Sequence, residues 1–218
     1  GEKATDIPTD MFQENAMDSI TPEFYRLRIA NQTINLSIDS TETVTVKAAY
    51  PQMSYKYEVE GSENCNTIKE LSLKQMLLQS NINGIVKNPN IGVDSVDVIV
   101  TRMLNDYKQD IKRNYIFKAP MQASSYYALF QTIQLGNTNS LIFNPRNNKE
   151  DVKVFAAVAT SWDTYYPGAE RGKNLHNIAI EGMKDIRIIE NQMAQQKIDA
   201  SKVQVNGCIE LALQDNQG

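Results

Sequence analysis

Histidine occurs once, at His176, and cysteine twice, at Cys65 and Cys208, so the side chains that most often carry nucleophilic or metal chemistry are scarce. A histidine-based triad or zinc site needs partners that one imidazole cannot supply. His176 itself reads as a partly exposed helical residue, with a pH-sensitive contact as the alternative. There is no Walker-type phosphate loop, dinucleotide-binding glycine string, zincin motif or nucleophile elbow. Carboxylates are plentiful but have local explanations. Asp94 and Asp97 stand where a capping box would place them, and Glu181 and Asp185, with Lys184 nearby, read as a solvated helix face. A carboxylate-pair hydrolase is the outside alternative. Asn137 to Ser140 lacks the acidic ligands of a calcium loop. The sequence therefore predicts no catalytic residue, no metal and no cofactor.

The cysteines are far apart and show no CxxC spacing. They are either buried free thiols or a disulfide. Both lie in polar, turn-like settings, Glu63-Asn64-Cys65-Asn66 and Asn206-Gly207-Cys208, which favours the disulfide. Such a bridge would close a loop worth ~3–5 kcal/mol in the chain-entropy account and would imply an oxidising compartment.

Aromatic residues form the other potential site. Tyr126, Tyr127 and Phe130, with Trp162, Tyr165 and Tyr166, fall on two neighbouring helical segments. They make either a shared core with tyrosine hydroxyls at its edge or a groove for a peptide or small polar ligand. Trp162 and Tyr166, four apart, belong on one helix face. Tyr126, Tyr127, Trp162 and Tyr166 are the groove candidates.

The best-specified feature is a seam, not a reactive centre. Leu175, Ala179, Gly182, Ile186, Ile189, Met193, Ala200 and Val203 recur in steps of four and three, interrupted at Gln196. That spacing predicts a helix built to lie along another helix. Leu175, Ala179, Ile186, Ile189 and Met193 are the candidate partner interface, and the same seam could instead close the protein's own core.

Several elements must position these residues. Residues 1–22 read as an N-terminal arm. In the β region, 23–62, Tyr25, Leu27 and Ile29, then Ile34, Leu36 and Ile38, then Val44 and Val46, then Tyr55, Tyr57 and Val59 alternate as half-buried antiparallel strands. The remainder, 63–218, reads helical and is expected to pack with the β region as one domain. Helices are predicted over 67–80, 94–113 and 120–135, the last ending at Gly136-Asn137, with polar linkers at 81–92 and 137–148. Asn148 can cap a helix ended by Pro167-Gly168, and the seam helix runs over about 169–197. Alternation on either side of Asn206-Gly207 predicts a C-terminal β-hairpin over 202–213, although the heptad phase continues to Val203. The fold class is thus α+β: an irregular, mainly helical bundle with a small N-terminal antiparallel sheet.

Composition narrows the function. The 218-residue chain is 41% hydrophobic, enough for a core, and carries a net charge of −4 without basic blocks. Nucleic acid is not an expected partner. No apolar run approaches the ~18 residues of a membrane span. The chain begins at Gly1 without an initiator methionine, as it would at a cloning scar or a processed end, with any signal peptide already removed.

The segment from Cys65 to Leu77, the helix from Val93, and the Ser-, Tyr-, Ala- and Gln-rich stretch from Tyr115 to Leu135 resemble periplasmic accessory proteins of type IVB secretion and conjugation systems. The likeness covers roughly residues 65–200 and omits the N-terminal sheet. It implies a periplasmic, virulence-associated protein of a Gram-negative bacterium, needed for transfer of effector proteins or DNA, with no catalytic residues to carry over. The expected function is a non-catalytic assembly component that contacts other proteins of an envelope apparatus, with homo-oligomers possible. The alternative is an extracytoplasmic binding module that uses the aromatic groove.

Overall fold

The computed structural model describes residues 20–215, with side chains over 20–202. The predicted arm, 1–22, lies almost wholly outside the described residues. The chain is α+β and mainly helical, with five α-helices and three two-stranded antiparallel sheets among the described residues.

Strands β1 (Glu23–Ile29) and β2 (Gln32–Ile38) pair across a two-residue turn, with Arg26 opposite Asn35 and Phe24 opposite Ser37. Strands β3 (Thr45–Ala48) and β4 (Tyr57–Glu60) form a separate ribbon. The predicted single sheet is therefore two hairpins. Ile34, Leu36, Met53, Tyr57, Val59 and Cys65 bury a small cluster between them and the next helix.

Gly61 lets the chain turn sharply after β4: its φ is +93°, and a Cβ there would stand 1.9 Å from the Thr43 carbonyl oxygen. Ser62 then caps α1 (Glu63–Val86), its side chain accepting from the Cys65 N–H at 3.2 Å. Helix α1 extends through the first half of the predicted linker at 81–92. Helix α2 (Val93–Ile111) starts after Gly92 with no side-chain cap, so the Asp94/Asp97 capping box is not formed. Asp94 stands inside the first turn, where its charge favours the helix dipole.

A π-helical turn, Lys112–Ile116, follows α2 and places Ile116 fully in the core. Helix α3 (Ala123–Leu129) is shorter than the predicted 120–135 helix. The remainder forms β5 (Thr132–Leu135), which pairs with β6 (Thr138–Leu141) through Gly136-Asn137. Gly136, at φ +60°, supplies the positive φ that a primed hairpin turn requires. Side chains of α1 fix this edge: Gln75 donates to the Thr132 carbonyl at 2.8 Å, and Gln79 both donates to the Gln134 carbonyl and accepts from its N–H.

Asn148 caps α4 (Lys149–Tyr165), accepting from the Glu150 and Asp151 N–H groups. Helix α5 (Glu170–Asp215) turns back along α4 after Pro167-Gly168. It continues through 202–213, where a hairpin was predicted; the helix phase prevails over the local Asn-Gly turn signal. The main core joins α1, α2, α3, α4 and the start of α5 around Leu71, Ile111, Leu129, Phe155, Trp162 and Leu175.

Candidate functional site

The β1–β2 hairpin lies against α1 and α3, leaving an open cleft of about 640 Å³. Phe24 and Arg26 point from the same face of β1, since alternate residues of a strand share a face. Opposite them stand Tyr126, Tyr127 and Phe130 at the α3 end, and Gln75 reaches in from α1.

Much of the wall is a contiguous aromatic stack. The ring centroid of Tyr126 lies 5.1 Å from Phe24, 5.0 Å from Phe130 and 5.0 Å from Trp162. The Arg171 guanidinium, from the first turn of α5, covers Phe24 at 4.8 Å and Tyr126 at 5.8 Å, and Glu23 holds it at 2.9 Å. Cation–π contact and the ion pair together fix this arginine as part of the wall.

The polar floor is also ordered. Gln131 donates to the Leu71 carbonyl at 2.9 Å and accepts from the Tyr107 hydroxyl at 2.6 Å. Asn35 donates to the Tyr127 hydroxyl at 3.4 Å. Burial pushes the Tyr107 and Tyr127 hydroxyls above the ordinary tyrosine range, so both remain neutral donors at physiological pH.

The four groove candidates divide between two settings. Tyr126 and Tyr127 line the cleft. Trp162 is fully buried behind Tyr126 and stacks on Tyr166 at 4.9 Å, which makes it a core tryptophan one layer behind the surface. The predicted Trp162–Tyr166 pairing is present, but neither residue lines the cleft. Sequence reading missed Phe24, Arg26, Asn35 and Arg171. The only local signal was the second face of β1, where Phe24 and Arg26 alternate with Tyr25 and Leu27.

The seam helix likewise divides. Leu175, Ala179 and Ile186 are buried, and Gly182 meets Pro145 and Val152, all within the α4–α5 contact. Lys149 at the start of α4 pairs with Glu190 at 3.0 Å, close to the end of that contact. Beyond it, Ile189 is 38% and Met193 56% exposed, and every residue from Arg187 to Lys202 is exposed. Three of the five interface candidates therefore close the protein's own core, and two do not.

Cys65 is a free thiol with no exposed surface, as the buried-thiol alternative has it, and the predicted bridge involves a Cys208 side chain outside the described residues. Its Sγ donates to the Ser37 carbonyl at 3.1 Å and accepts from the Ser37 N–H at 3.4 Å. The first turn of α1 tucks it beneath β2, within the small cluster. Cys208 falls on α5. His176 sits 2.5 Å from Asp163 across the α4–α5 contact, and Lys184 pairs with Glu181 at 2.8 Å, as a solvated face would have it. Among the described residues, no three His, Cys, Asp or Glu side chains group as a metal site would require.

Neither a protein-family model, nor a curated protein, nor a solved structure matches this chain.

Proposed function

We propose that the protein is a non-catalytic assembly component that works through protein–protein contacts, with the outer part of α5 as its contact surface. The observation that carries this reading is the overhang of α5. The helix has 46 residues, a length of about 69 Å at the usual rise. Its first part, to Ile186, packs on α4 and residues 187–202 are exposed, yet the four-and-three phase continues outward through Ile189 and Met193. Ile188 and Ile198 add exposed apolar surface. A helix without tertiary support is marginal in water, so its ordered form is best sustained when an apolar helix of another component lies along it. The resemblance read from the sequence supports a bacterial envelope apparatus as the setting of that component, with this chain acting in the periplasm. No helix among the described residues is long and apolar enough to cross a membrane, so contact with membrane components would be made outside the bilayer.

The test is site-specific photo-crosslinking in the native host from Met193, on the seam, and from Asn191, on the opposite face. The expected result is a discrete adduct with an envelope component from Met193 alone, lost when Ile189→Asp is introduced into a chain that still folds. Equal labelling from both positions, or no effect of Ile189→Asp, would overturn the reading. Sedimentation of the purified chain separates a second copy from a different partner.

A further inference from the structure

The cleft between β1–β2 and α3 has a charge asymmetry that the assembly reading does not use. Its lining includes two arginines, Arg26 and Arg171, and no carboxylate. The two are not equivalent. Arg171 is neutralised by Glu23 at 2.9 Å and immobilised against Phe24 and Tyr126. Arg26 is exposed and takes part in no ion pair among the described residues. The rim therefore carries one uncompensated guanidinium. Its neighbour across the hairpin is Asn35, whose amide is already directed to the Tyr127 hydroxyl. Below it lie the rings of Tyr126, Tyr127 and Phe130.

We propose that this cleft is a binding site for an aromatic carboxylate, with the carboxylate held by Arg26 and the Asn35 amide and the ring laid against Tyr126, Tyr127 and Phe130. A guanidinium offers parallel N–H donors that match a carboxylate, and aromatic walls favour a flat apolar group through offset or edge contacts. A cleft of about 640 Å³ lies within the usual range for small-molecule sites, roughly 300–1,000 Å³. Arg171 closes one end of the wall without competing for the anion, because Glu23 already satisfies it. A cationic ligand is disfavoured by the uncompensated Arg26 guanidinium. A neutral sugar would leave Arg26 without a counterpart.

The same chemistry is presented by a free aromatic acid and by the C-terminus of a peptide ending in an aromatic residue. The full chain is titrated calorimetrically with 3-phenylpropanoate, with the tripeptide Gly-Gly-Phe, and with Gly-Gly-Phe amide. Trp162, the single tryptophan, lies 5.0 Å behind Tyr126 and supplies a fluorescence readout of ring docking. The expected result is saturable binding of at least one acid, about tenfold or more tighter than the amide, as loss of a charge-assisted pair implies, and weakened by added salt. Arg26→Gln, at an exposed position, is expected to remove the acid-over-amide preference. Tighter binding of the tripeptide identifies a chain terminus as the ligand, and tighter binding of 3-phenylpropanoate a free acid. Equal affinity for acid and amide, no saturable binding of any probe, or an unchanged preference in folded Arg26→Gln would overturn the proposal. If Arg26→Gln fails to fold, the acid-against-amide comparison in the unaltered chain decides alone. None of these outcomes bears on capture through Met193, so failure here and failure of the assembly reading are separate results.

Discussion

Removing the Asp151 carboxylate would leave the Lys108 ammonium enclosed, with the Phe143 ring 5.6 Å away. The pair is 2.6 Å apart, its side chains are 13% and 2% exposed, and Asp151 also accepts from the Asn144 N–H at 2.8 Å. Breaking such a pair on one side is costly because the remaining charge has no water to replace its partner. Asp151→Ala is therefore expected to destabilise the protein by about 3–5 kcal/mol in urea denaturation, a cost characteristic of a buried pair broken on one side. Asp151→Asn should cost less, because its amide oxygen can still accept from Asn144. A loss under about 1 kcal/mol, the level of exposed pairs, would show that water reaches the site. Cys65 gives a second test at this scale. Burial pushes its thiol above the ordinary value, and the hydrogen bonds with Ser62 and Ser37 only partly offset this. Iodoacetamide at mildly alkaline pH is expected to spare Cys65 in the folded chain and to modify it after denaturation, as peptide mapping by mass spectrometry would show. Rapid labelling of the folded chain, or a Cys65–Cys208 bridged peptide in a non-reducing digest, would contradict the enclosed thiol.

Close approach of α5 to the α4 entry depends on Gly182. A Cβ at this position would lie 2.5 Å from the Pro145 carbonyl oxygen and 3.1 Å from a Val152 methyl. Because the nearest atom belongs to backbone, the helices must separate to admit it. Gly182→Ala is expected to lower stability by about 1–3 kcal/mol despite its better helix propensity. Gly172→Ala should cost less, since its nearest neighbour is the Asp163 carboxylate at 3.2 Å, which can rotate away. Thermal denaturation of the two variants compares them directly. The seam was legible because helix periodicity is local, and the Asn148 cap and the Pro167-Gly168 break were legible for the same reason. The C-terminal hairpin was not, because an Asn-Gly turn was weighed without asking what would cover it. A lone two-stranded hairpin is marginal, whereas extending an established helix needs no new nucleus. The β5–β6 hairpin was missed for a related reason. Its edge is held by Gln75 and Gln79, more than fifty residues earlier in the chain, and no local pattern announces that support.

Across the whole molecule, the two surfaces with functional potential were legible to different degrees. The cleft gathers Arg26 and Asn35 from one hairpin, Tyr126 and Tyr127 from α3, and Arg171 from α5. Its aromatic half stood out in sequence, but on β1 an arginine among alternating residues reads only as a solvent-facing position. The α5 seam was visible in full, whereas its division into core and overhang depends on where α4 ends against it. That division has a thermodynamic consequence. Every residue from Arg187 to Lys202 on α5 is exposed, so the body should not depend on that stretch of helix. Deleting residues 192–218 keeps the Lys149–Glu190 pair and is expected to change unfolding free energy by no more than about 0.5 kcal/mol, the usual range for surface changes. Helical circular dichroism should fall in proportion to the residues removed, and crosslinking through the seam should be lost. A stability loss of several kcal/mol would mean that the outer helix packs on its own body in solution, and the seam would then belong to the core along its whole length.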